Sequence, residues 1–217
     1  MNALRDTIAG LYRAVCARGL VVGSSGNVSA RTPGGMLITP TGVRGDVVAP
    51  GELVEMDFDG NVAGDLAPSS EWRMHAAIFR AAPAATVIIH THSDAATALG
   101  CLDLPLPAFH YDIAQFGGDD VRLAPYALFG SEELAAHAVR ALAGRSACLL
   151  ANHGMICHGT DAAAALQAAV RLETMARQYL LALAAGTPKL LSPTQMAEVH
   201  ARYATYGQQP KPKRTLP

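Results

Sequence analysis

Two histidines separated by a single residue, His90 and His92, follow a short apolar stretch of the chain. Residues 86–90 read Thr-Val-Ile-Ile-His, and their β-branched side chains and short length predict a buried strand. Side chains two residues apart on a strand point to the same face, about 6.5 Å apart along the backbone. Both imidazoles can therefore bind one ion, because Zn–N bonds measure about 2.0–2.1 Å. The spacing predicts two ligands of a metal site.

Two further residues complete a candidate ligand set. His153 follows a second apolar run at residues 148–151, and Glu71 offers a carboxylate oxygen. Three neutral imidazoles and one carboxylate suit zinc, although ligand type alone also allows Mn²⁺, Co²⁺ or Fe²⁺. Histidines near strand ends are often core or surface residues, so the pattern alone leaves that alternative open. A structural zinc site is another alternative, but such sites are normally rich in cysteine.

Residues 23–29, Gly-Ser-Ser-Gly-Asn-Val-Ser, form either a flexible turn or an anion-binding loop. Glycine lets backbone N–H groups approach an anion, and serine and asparagine side chains add donors. The segment matches neither the Walker pattern nor the dinucleotide-binding pattern. Ser69 and Ser70 open a predicted helix that extends to residue 80, with Glu71 in its first turn. Helix capping explains these three residues, and a helix start also attracts phosphate.

The elements around these residues predict an α/β protein. Apolar periodicity predicts helices near residues 2–19, 69–80, 94–100, 132–143, 160–186 and 192–203. Strands are expected at residues 36–39, 86–90 and 146–153, with a strand, a turn and a strand between residues 47 and 67. His75 lies one turn after Glu71, and we expect it to pack or to support the site from behind.

Composition argues against several classes of protein. Half of the 217 residues are apolar, 16% are charged and the net charge is −1, so we expect no binding to nucleic acid or to an anionic membrane. The first helix has charged residues among its apolar ones and does not resemble an export signal. The four cysteines form no C-x-x-C pair and predict reduced core residues of a cytoplasmic protein. We expect one domain over residues 1–207 and a disordered tail at residues 208–217.

Seven motifs occur in order along the chain: SSGNVSAR, GMLITPTGV, PSSEWRMH, IIHTHS, HYDIAQFGG, APYALFG and ANHGMICHG. Together they resemble the class II aldolase/adducin family, and within it the L-fuculose-1-phosphate aldolases, over about residues 4–207. The resemblance implies a three-layer α/β/α fold with a mostly antiparallel central sheet. It also implies a cyclic homotetramer with active sites between subunits.

The same resemblance implies roles for matching residues. One Zn²⁺ per subunit, or Mn²⁺, Co²⁺ or Fe²⁺ in its place, is held by Glu71, His90, His92 and His153. The residues with catalytic roles are Glu71, Tyr111, which acts as a proton donor in a neighbouring subunit's site, and Tyr206, which matches a C-terminal tyrosine motif. The substrate phosphate is bound by Ser24, Gly26, Asn27, Thr41, Gly42, Ser69 and Ser70.

The implied reaction is reversible cleavage of a phosphorylated sugar. The substrate is a ketose 1-phosphate, L-fuculose 1-phosphate or a similar deoxyketose 1-phosphate, and the products are dihydroxyacetone phosphate and an aldehyde. Candidates for an apolar side of the aldehyde pocket are Phe109, Phe116 and Phe129. Asp112 departs from the aldolase pattern, and related 4-epimerases carry a catalytic acid in this region. A 4-epimerase, a dehydratase or a decarboxylase is therefore the alternative, and a non-catalytic adducin-like scaffold is another.

Overall fold

The structure is a computed structural model that describes residues 2–206. Its helices are α1 (Asn2–Ala17), α2 (Trp72–Ala81), α3 (Asp94–Cys101), α4 (Glu132–Ala141), α5 (Ala162–Ala185) and α6 (Pro193–Tyr203). Its strands are β1 (Asn27–Thr32), β2 (Gly35–Ile38), β3 (Val54–Met56), β4 (Val62–Ala63), β5 (Val87–Thr91), β6 (Leu123–Ala124), β7 (Ala147–Leu150) and β8 (Gly154–Gly159). Short 3-10 helices cover Pro50–Glu52 and Tyr111–Phe116.

The eight strands form one sheet in the order β4-β3-β2-β1-β5-β8-β7-β6. Every neighbouring pair is antiparallel except β6 and β7, which are parallel. In the β1–β5 pair, Asn27 lies opposite His90 and Ser29 lies opposite Ile88. The predicted mostly antiparallel sheet is confirmed, and β5 lies at its centre.

Helices cover both faces of the sheet. Strand residues such as Val28 and Ile89 pack in one core with residues of α1, α3, α5 and α6. The alternate residues, such as Ile88, pack in a second core with residues of α2 and α4. The predicted three-layer α/β/α arrangement is therefore confirmed. His90 shares the face of Ile88, because strand side chains alternate, and so it lies on the side that α2 covers.

The sequence-based assignment missed three strands, β1, β6 and β8, of which β6 has only two residues. β1 begins at Asn27, inside the segment interpreted as a loop, and β8 begins directly after His153. The strand predicted over residues 146–153 ends at Leu150, so His153 lies in the turn between β7 and β8. Helix α2 begins at Trp72 rather than at residue 69, and Glu71 at its cap position makes no side-chain capping bond. The predicted metal ligand His153 is therefore supplied by a turn.

Other predictions have mixed outcomes. All four cysteines are free thiols, and Cys148 and Cys157 are buried, but Cys101 is exposed and is not a core residue. No helix between residues 2 and 206 has both the length and the apolar character needed to cross a membrane. The single domain over residues 1–207 stays a prediction, and the predicted tail at 208–217 lies outside the described residues.

Candidate functional site

Four side chains from separate parts of the chain converge at one end of β5. His90 lies in β5, His92 follows it, His153 lies in the β7–β8 turn, and Glu71 precedes α2. Their ligand atoms, one from each residue, all lie within 4.8 Å of one another. The centroids of the three imidazole rings are 4.7–4.9 Å apart. The structure thus brings together every residue that was predicted to bind the metal.

The nitrogens and oxygens of this cluster face one another. His90 Nδ1 donates to the carbonyl oxygen of Met155 at 2.8 Å, which leaves Nε2 of a neutral ring as an acceptor. This Nε2 lies 3.0 Å from His92 Nε2 and 2.9 Å from Glu71 Oε2. Glu71 Oε1 lies 3.3 Å from His153 Nε2 and is buried without a hydrogen-bond partner. Lone pairs that face each other repel unless a cation lies between them, so the donor set fits a divalent metal ion.

The charges of the cluster agree with that interpretation. Burial opposes ionisation of Glu71, but His90 and His153 outweigh it and hold the pKa of the carboxyl well below its usual value. Burial lowers the pKa of His90, but Glu71 more than offsets this and raises it, so the carboxylate attracts a cation to His90 Nε2, either a proton or a metal ion that would replace it. Burial, aided by His90 and His153, lowers the pKa of His92 to about 4. Near pH 7 the cluster therefore offers an ionised carboxylate and a neutral His92, which are the forms that bind metal ions.

The backbone conformations of Gly26 and Asn152 allow the segments that carry the cluster to lie close together. Gly26 has φ +80°, and a Cβ atom there would lie 2.7 Å from the carbonyl oxygen of His90. Only glycine fits this contact without a shift of the backbone. Asn152 has φ 51°, in the left-handed region that asparagine adopts more readily than most residues. This conformation turns the chain between β7 and β8 and places His153 at the cluster.

A cleft of about 380 Å³ opens beside the cluster, and Glu71, His92 and His153 form part of its wall. No Lys or Arg of the described residues lines it. Its polar groups are therefore neutral donors and the cluster itself. All of the residues predicted to bind phosphate line it, namely Ser24, Gly26, Asn27, Thr41, Gly42, Ser69 and Ser70.

Aromatic residues line the rim of the cleft. Tyr126 and Phe129 both line it, and each is 61% exposed. Phe129 therefore lies where it can serve the aldehyde pocket, which stays a prediction, and the APYALFG motif already carried the signal for Tyr126. Phe116 is buried in the core and Phe109 packs against Tyr179 with ring centroids 5.0 Å apart. Neither residue lines the cleft of its own chain: the 3-10 helix Tyr111–Phe116 turns Phe116 inwards, and Phe109 packs against the core that α5 shares.

A row of hydrogen-bonded side chains lies behind Glu71. Asn27 Nδ2 donates to Glu71 Oε2 at 3.0 Å. Asn27 Oδ1 lies 2.5 Å from His75 Nε2, and Ser29 Oγ lies 2.7 Å from His75 Nδ1. Burial lowers the pKa of His75 to about 3, so this ring is neutral. His75 is not part of the ligand cluster and reaches Glu71 only through Asn27.

The tyrosines predicted to be catalytic lie outside the cleft of their own chain. Tyr111 stacks on His110 with ring centroids 4.6 Å apart, and Tyr206 packs edge-on against Tyr203 at 5.7 Å. Tyr111 is 52% exposed and Tyr206 is 73% exposed. Within one chain the structure does not bring them to Glu71. A catalytic role for either tyrosine therefore requires a neighbouring subunit.

Asp112, the residue that departs from the aldolase pattern, is held by its neighbours. Its carboxylate accepts hydrogen bonds from Tyr203 Oη at 2.5 Å and from Gln115 Nε2 at 2.8 Å, and Arg171 Nε lies 3.9 Å away. Partial burial opposes ionisation, but these contacts outweigh it and lower the pKa of Asp112. The carboxylate is therefore fixed and ionised beside Tyr111 and does not line the cleft.

Known proteins resemble this chain over most of its length. Residues 6–180 match the family described as Class II Aldolase and Adducin N-terminal domain. The 5-methylthioribulose-1-phosphate/5-deoxyribulose-1-phosphate aldolase of Rhodospirillum rubrum is 42% identical over 205 residues, or 94% of this chain and 93% of that protein. An L-fuculose phosphate aldolase of Escherichia coli is 40% identical over 190 residues, or 87% of this chain and 88% of that protein.

Solved structures agree with the sequence comparison. A structure described as L-fuculose 1-phosphate aldolase matches with a TM-score of 0.89 and 35% identity, over 94% of this chain and 97% of that one. The relatives are named as aldolases, and the Glu–His cluster supplies the kind of metal site that class II aldolases require. The chain therefore belongs to the class II aldolase and adducin family, as a metal-dependent aldolase.

Proposed function

We propose that the protein is a zinc-dependent aldolase that reversibly cleaves a deoxyketose 1-phosphate to dihydroxyacetone phosphate and an aldehyde. L-Fuculose 1-phosphate, 5-deoxyribulose 1-phosphate and 5-methylthioribulose 1-phosphate are the candidate substrates, because relatives carry these names. The observation that carries the proposal is the convergence of the Glu71, His90, His92 and His153 ligand atoms at the wall of a cleft lined by neutral donors.

The phosphate group is proposed to bind to the neutral hydroxyl and amide groups that line the cleft. Hydroxyl and amide groups converge there without a cation, as at anion sites built from glycine-rich turns and backbone N–H groups. Because Glu71 and His153 line the same cleft, the carbons next to a bound phosphate come close to the carboxylate. The proposed phosphate-binding residues are Ser24, Gly26, Asn27, Thr41, Gly42, Ser69 and Ser70.

Glu71 is proposed as the general base. Its neighbours keep the carboxylate ionised, and Oε1 has no hydrogen-bond partner, so this oxygen would be free to take a proton once the substrate had replaced Glu71 on a bound ion. In the condensation direction it removes a proton from the carbon beside the carbonyl of dihydroxyacetone phosphate, and in cleavage it returns that proton. A zinc ion held by the three imidazoles, and by Glu71 before the substrate binds, would supply Lewis acidity that stabilises the negative charge on the substrate.

The proposed assembly is a homotetramer in which Tyr111 and Tyr206 complete the cleft of a neighbouring subunit. Both rings are largely exposed and lie outside their own cleft. Exposed aromatic side chains are typical of protein–protein interfaces. The exposed rings of Tyr126 and Phe129 at the rim supply an apolar surface for the aldehyde. Such a surface favours an aldehyde that ends in a methyl or methylthio group over one that ends in a hydroxyl.

The test is a substrate screen with the zinc-loaded protein. The three candidate 1-phosphates are incubated separately, and the release of dihydroxyacetone phosphate and of aldehyde is measured. The proposal expects equal amounts of both products from at least one deoxyketose 1-phosphate. A product inverted at C4, or the loss of water or carbon dioxide without release of dihydroxyacetone phosphate, assigns the protein to another branch of the family.

Removal of one imidazole should empty the metal site. The wild-type protein is expected to hold about one zinc or similar ion per chain, and His153→Ala to lose most of it, because three ligands hold a zinc ion less tightly than four. Metal content by elemental analysis measures this. His158→Ala is the matched control, since His158 contacts the carbonyl oxygen of Arg145 and does not belong to the cluster. Full occupancy in His153→Ala contradicts the ligand assignment.

Ser70 offers a test of the phosphate site. Its side chain is exposed in the cleft, whereas Ser69 Oγ already accepts a hydrogen bond from the Glu71 N–H at 3.3 Å. A hydrogen bond to a charged group contributes about 1.5–3 kcal/mol, so Ser70→Ala should raise KM for the phosphorylated substrate by about tenfold or more. The control is Ser25→Ala, because Ser25 Oγ donates to the Val22 carbonyl oxygen. Equal losses with a dephosphorylated analogue contradict the assignment.

A further inference from the structure

A short row of buried polar side chains lies behind Glu71, on the face of the sheet that α2 covers. Asn27 and Ser29 are alternate residues of β1, and His75 lies one turn after Glu71 in α2. Their exposed fractions are 4%, 0% and 0%. Ile38, Ile88 and Ile156 on the same face are apolar and pack in the core beneath α2 and α4. Burial of a polar group costs free energy unless it is hydrogen-bonded, so the partners of this row decide what it does.

The Glu71 carboxylate fixes the direction of each hydrogen bond in the row. An ionised carboxylate only accepts, so Asn27 must turn Nδ2 towards Glu71 Oε2, at 3.0 Å. Asn27 Oδ1 then faces His75 Nε2 at 2.5 Å and must accept, so this ring nitrogen carries the hydrogen. The bare Nδ1 accepts from Ser29 Oγ at 2.7 Å. Each side chain therefore has one orientation that satisfies both of its neighbours.

Glu71 has few other contacts that hold its side chain. It precedes α2 and makes no side-chain capping bond to that helix. Apart from the imidazoles of the cluster, Asn27 is the side chain between residues 2 and 206 that donates a hydrogen bond to its carboxylate. This bond occupies Oε2, while Oε1 is without a hydrogen-bond partner. The row therefore determines which carboxylate oxygen is open to a proton.

We propose that His75 is a positioning residue for the aldolase reaction and acts through Asn27 on the Glu71 carboxylate. The inference rests on the proposed function, because it takes Glu71 as the base. Ser29 anchors the His75 ring, the ring anchors the Asn27 amide, and the amide holds Oε2 so that Oε1 receives the proton. His75 touches neither the cleft nor the metal ligands. Its loss slows proton transfer and weakens zinc binding. KM changes much less, because both polar groups of the Asn27 side chain are bonded to Glu71 and His75 and not to the phosphate.

The test compares His75→Leu with His75→Gln. Gln can present an N–H group near the position of Nε2, whereas Leu cannot. Exchange of the dihydroxyacetone phosphate C3 proton with D₂O, measured per bound ion, should slow about 10–100-fold in His75→Leu, with KM within about twofold of wild type. Zinc affinity by chelator competition should fall about 10–100-fold as well. His75→Gln should recover most of both losses.

Ile78→Ala is the control for loss of stability alone. Ile78 is buried in the same helix and has an apolar side chain, so this variant should have a lower Tm and an unchanged exchange rate per bound ion. Exchange at the wild-type rate in His75→Leu overturns the proposal, as does a His75→Gln variant no better than His75→Leu. If His75→Leu does not fold, Ser29→Ala replaces it as the test variant. Loss of the Ser29 hydroxyl removes the partner of His75 Nδ1, so the His75 ring can adopt the tautomer that carries its hydrogen on Nδ1. Exchange slowed several-fold in Ser29→Ala supports the proposal, and an unchanged rate overturns it.

Failure of the proposed function can be told apart from failure of this inference. A zinc-loaded wild-type protein that exchanges no proton contradicts the proposed function. The zinc affinities still test the role of His75, because they do not depend on the reaction. The expected order is wild type, then His75→Gln, then His75→Leu, and equal affinities in all three overturn the positioning role.

Discussion

Glu71→Gln is expected to keep much of its zinc and to lose at least about 10² in kcat, the lower end for a missing general base. Such a loss corresponds to about 2.7 kcal/mol of transition-state stabilisation. Gln has nearly the same shape as Glu and still offers a carbonyl oxygen, and the three imidazoles of the cluster remain. Its amide cannot accept the substrate proton. The change therefore separates the two roles proposed for Glu71, metal ligand and base.

The measurements are metal content and kcat for cleavage of the substrate identified by the screen. Glu173→Gln is the matched control, because Glu173 is also buried and its carboxylate accepts the N–H groups of Ala95 and Ala96 at 2.9 and 3.0 Å. This control should lower stability without a comparable loss of kcat. A Glu71→Gln variant with near wild-type kcat would leave Glu71 as a ligand only, and another residue would have to be the base.

Tyr111→Phe is expected to slow aldol cleavage by about 10²–10⁴, the usual contribution of one general acid or base. The proposed role of the Tyr111 hydroxyl is exchange of a proton with the aldehyde oxygen, and Phe keeps the ring while removing that group. Metal content and the exchange of the dihydroxyacetone phosphate proton should stay near wild type, because neither involves the aldehyde. Single-turnover cleavage and proton exchange on the same preparation measure the difference.

Asp112→Asn is the comparison that separates the aldolase from a 4-epimerase. Asp112 accepts hydrogen bonds from Tyr203 and Gln115 and has a lowered pKa, so the structure favours a supporting role beside Tyr111. We therefore expect a mild effect on kcat. The reverse ranking of the Tyr111 and Asp112 variants, together with a C4-inverted product, contradicts the aldolase assignment.

Mixing of two inactive variants tests whether Tyr111 acts in a neighbouring subunit. Tyr111 is 52% exposed and does not line the cleft of its own chain. If sites combine residues of two subunits, a mixed assembly of Glu71→Gln and Tyr111→Phe chains contains some sites with both native residues. Activity should then reappear after the two variants are refolded together. No recovery in assemblies shown to be mixed contradicts the intersubunit site.

The metal cluster was the most predictable part of the molecule. The two-residue spacing of His90 and His92 predicts that both rings lie on one face, although that pattern alone left a core or surface role open and β5 ends at Thr91, one residue before His92. His153 and Glu71 come from distant parts of the chain, and sequence spacing says nothing of their approach to β5. Motif resemblance supplied that assignment. The structure then places the ligand atoms of all four residues within 4.8 Å.

The three strands that the sequence did not predict have different physical causes, and β6 is too short, at two residues, to give a periodic pattern. In β1 the alternating residues Asn27 and Ser29 are polar, which is typical of a solvent-facing strand face, yet both are buried because α2 brings His75 onto them. In β8 the short apolar run follows a tight turn at Asn152, where φ is 51°. The antiparallel pairing of β8 with β7 depends on the backbone conformation of one residue, Asn152, and amino-acid composition does not predict that conformation.

The sequence did not predict the hydrogen-bonded row behind Glu71 or the position of Tyr111 and Tyr206 outside the cleft. The reason is the same in both cases. Both depend on contacts between distant elements. Asn27 resembles a phosphate-binding residue in its motif, and only the fold reveals that its amide also bonds to Glu71. Tyr111 matches a catalytic position, but the chain by itself places the ring away from the cleft.

Exchange of the dihydroxyacetone phosphate C3 proton with D₂O, without aldehyde present, tests the central claim most directly. This exchange isolates proton abstraction, the step that requires both the metal cluster and Glu71. Mass spectrometry or proton NMR of the recovered dihydroxyacetone phosphate measures it. The account predicts that the zinc-loaded wild-type protein incorporates one deuterium at C3, and that Glu71→Gln and the metal-free protein incorporate none above the solvent background. No incorporation by the wild-type protein, or incorporation at the wild-type rate by Glu71→Gln, would contradict it.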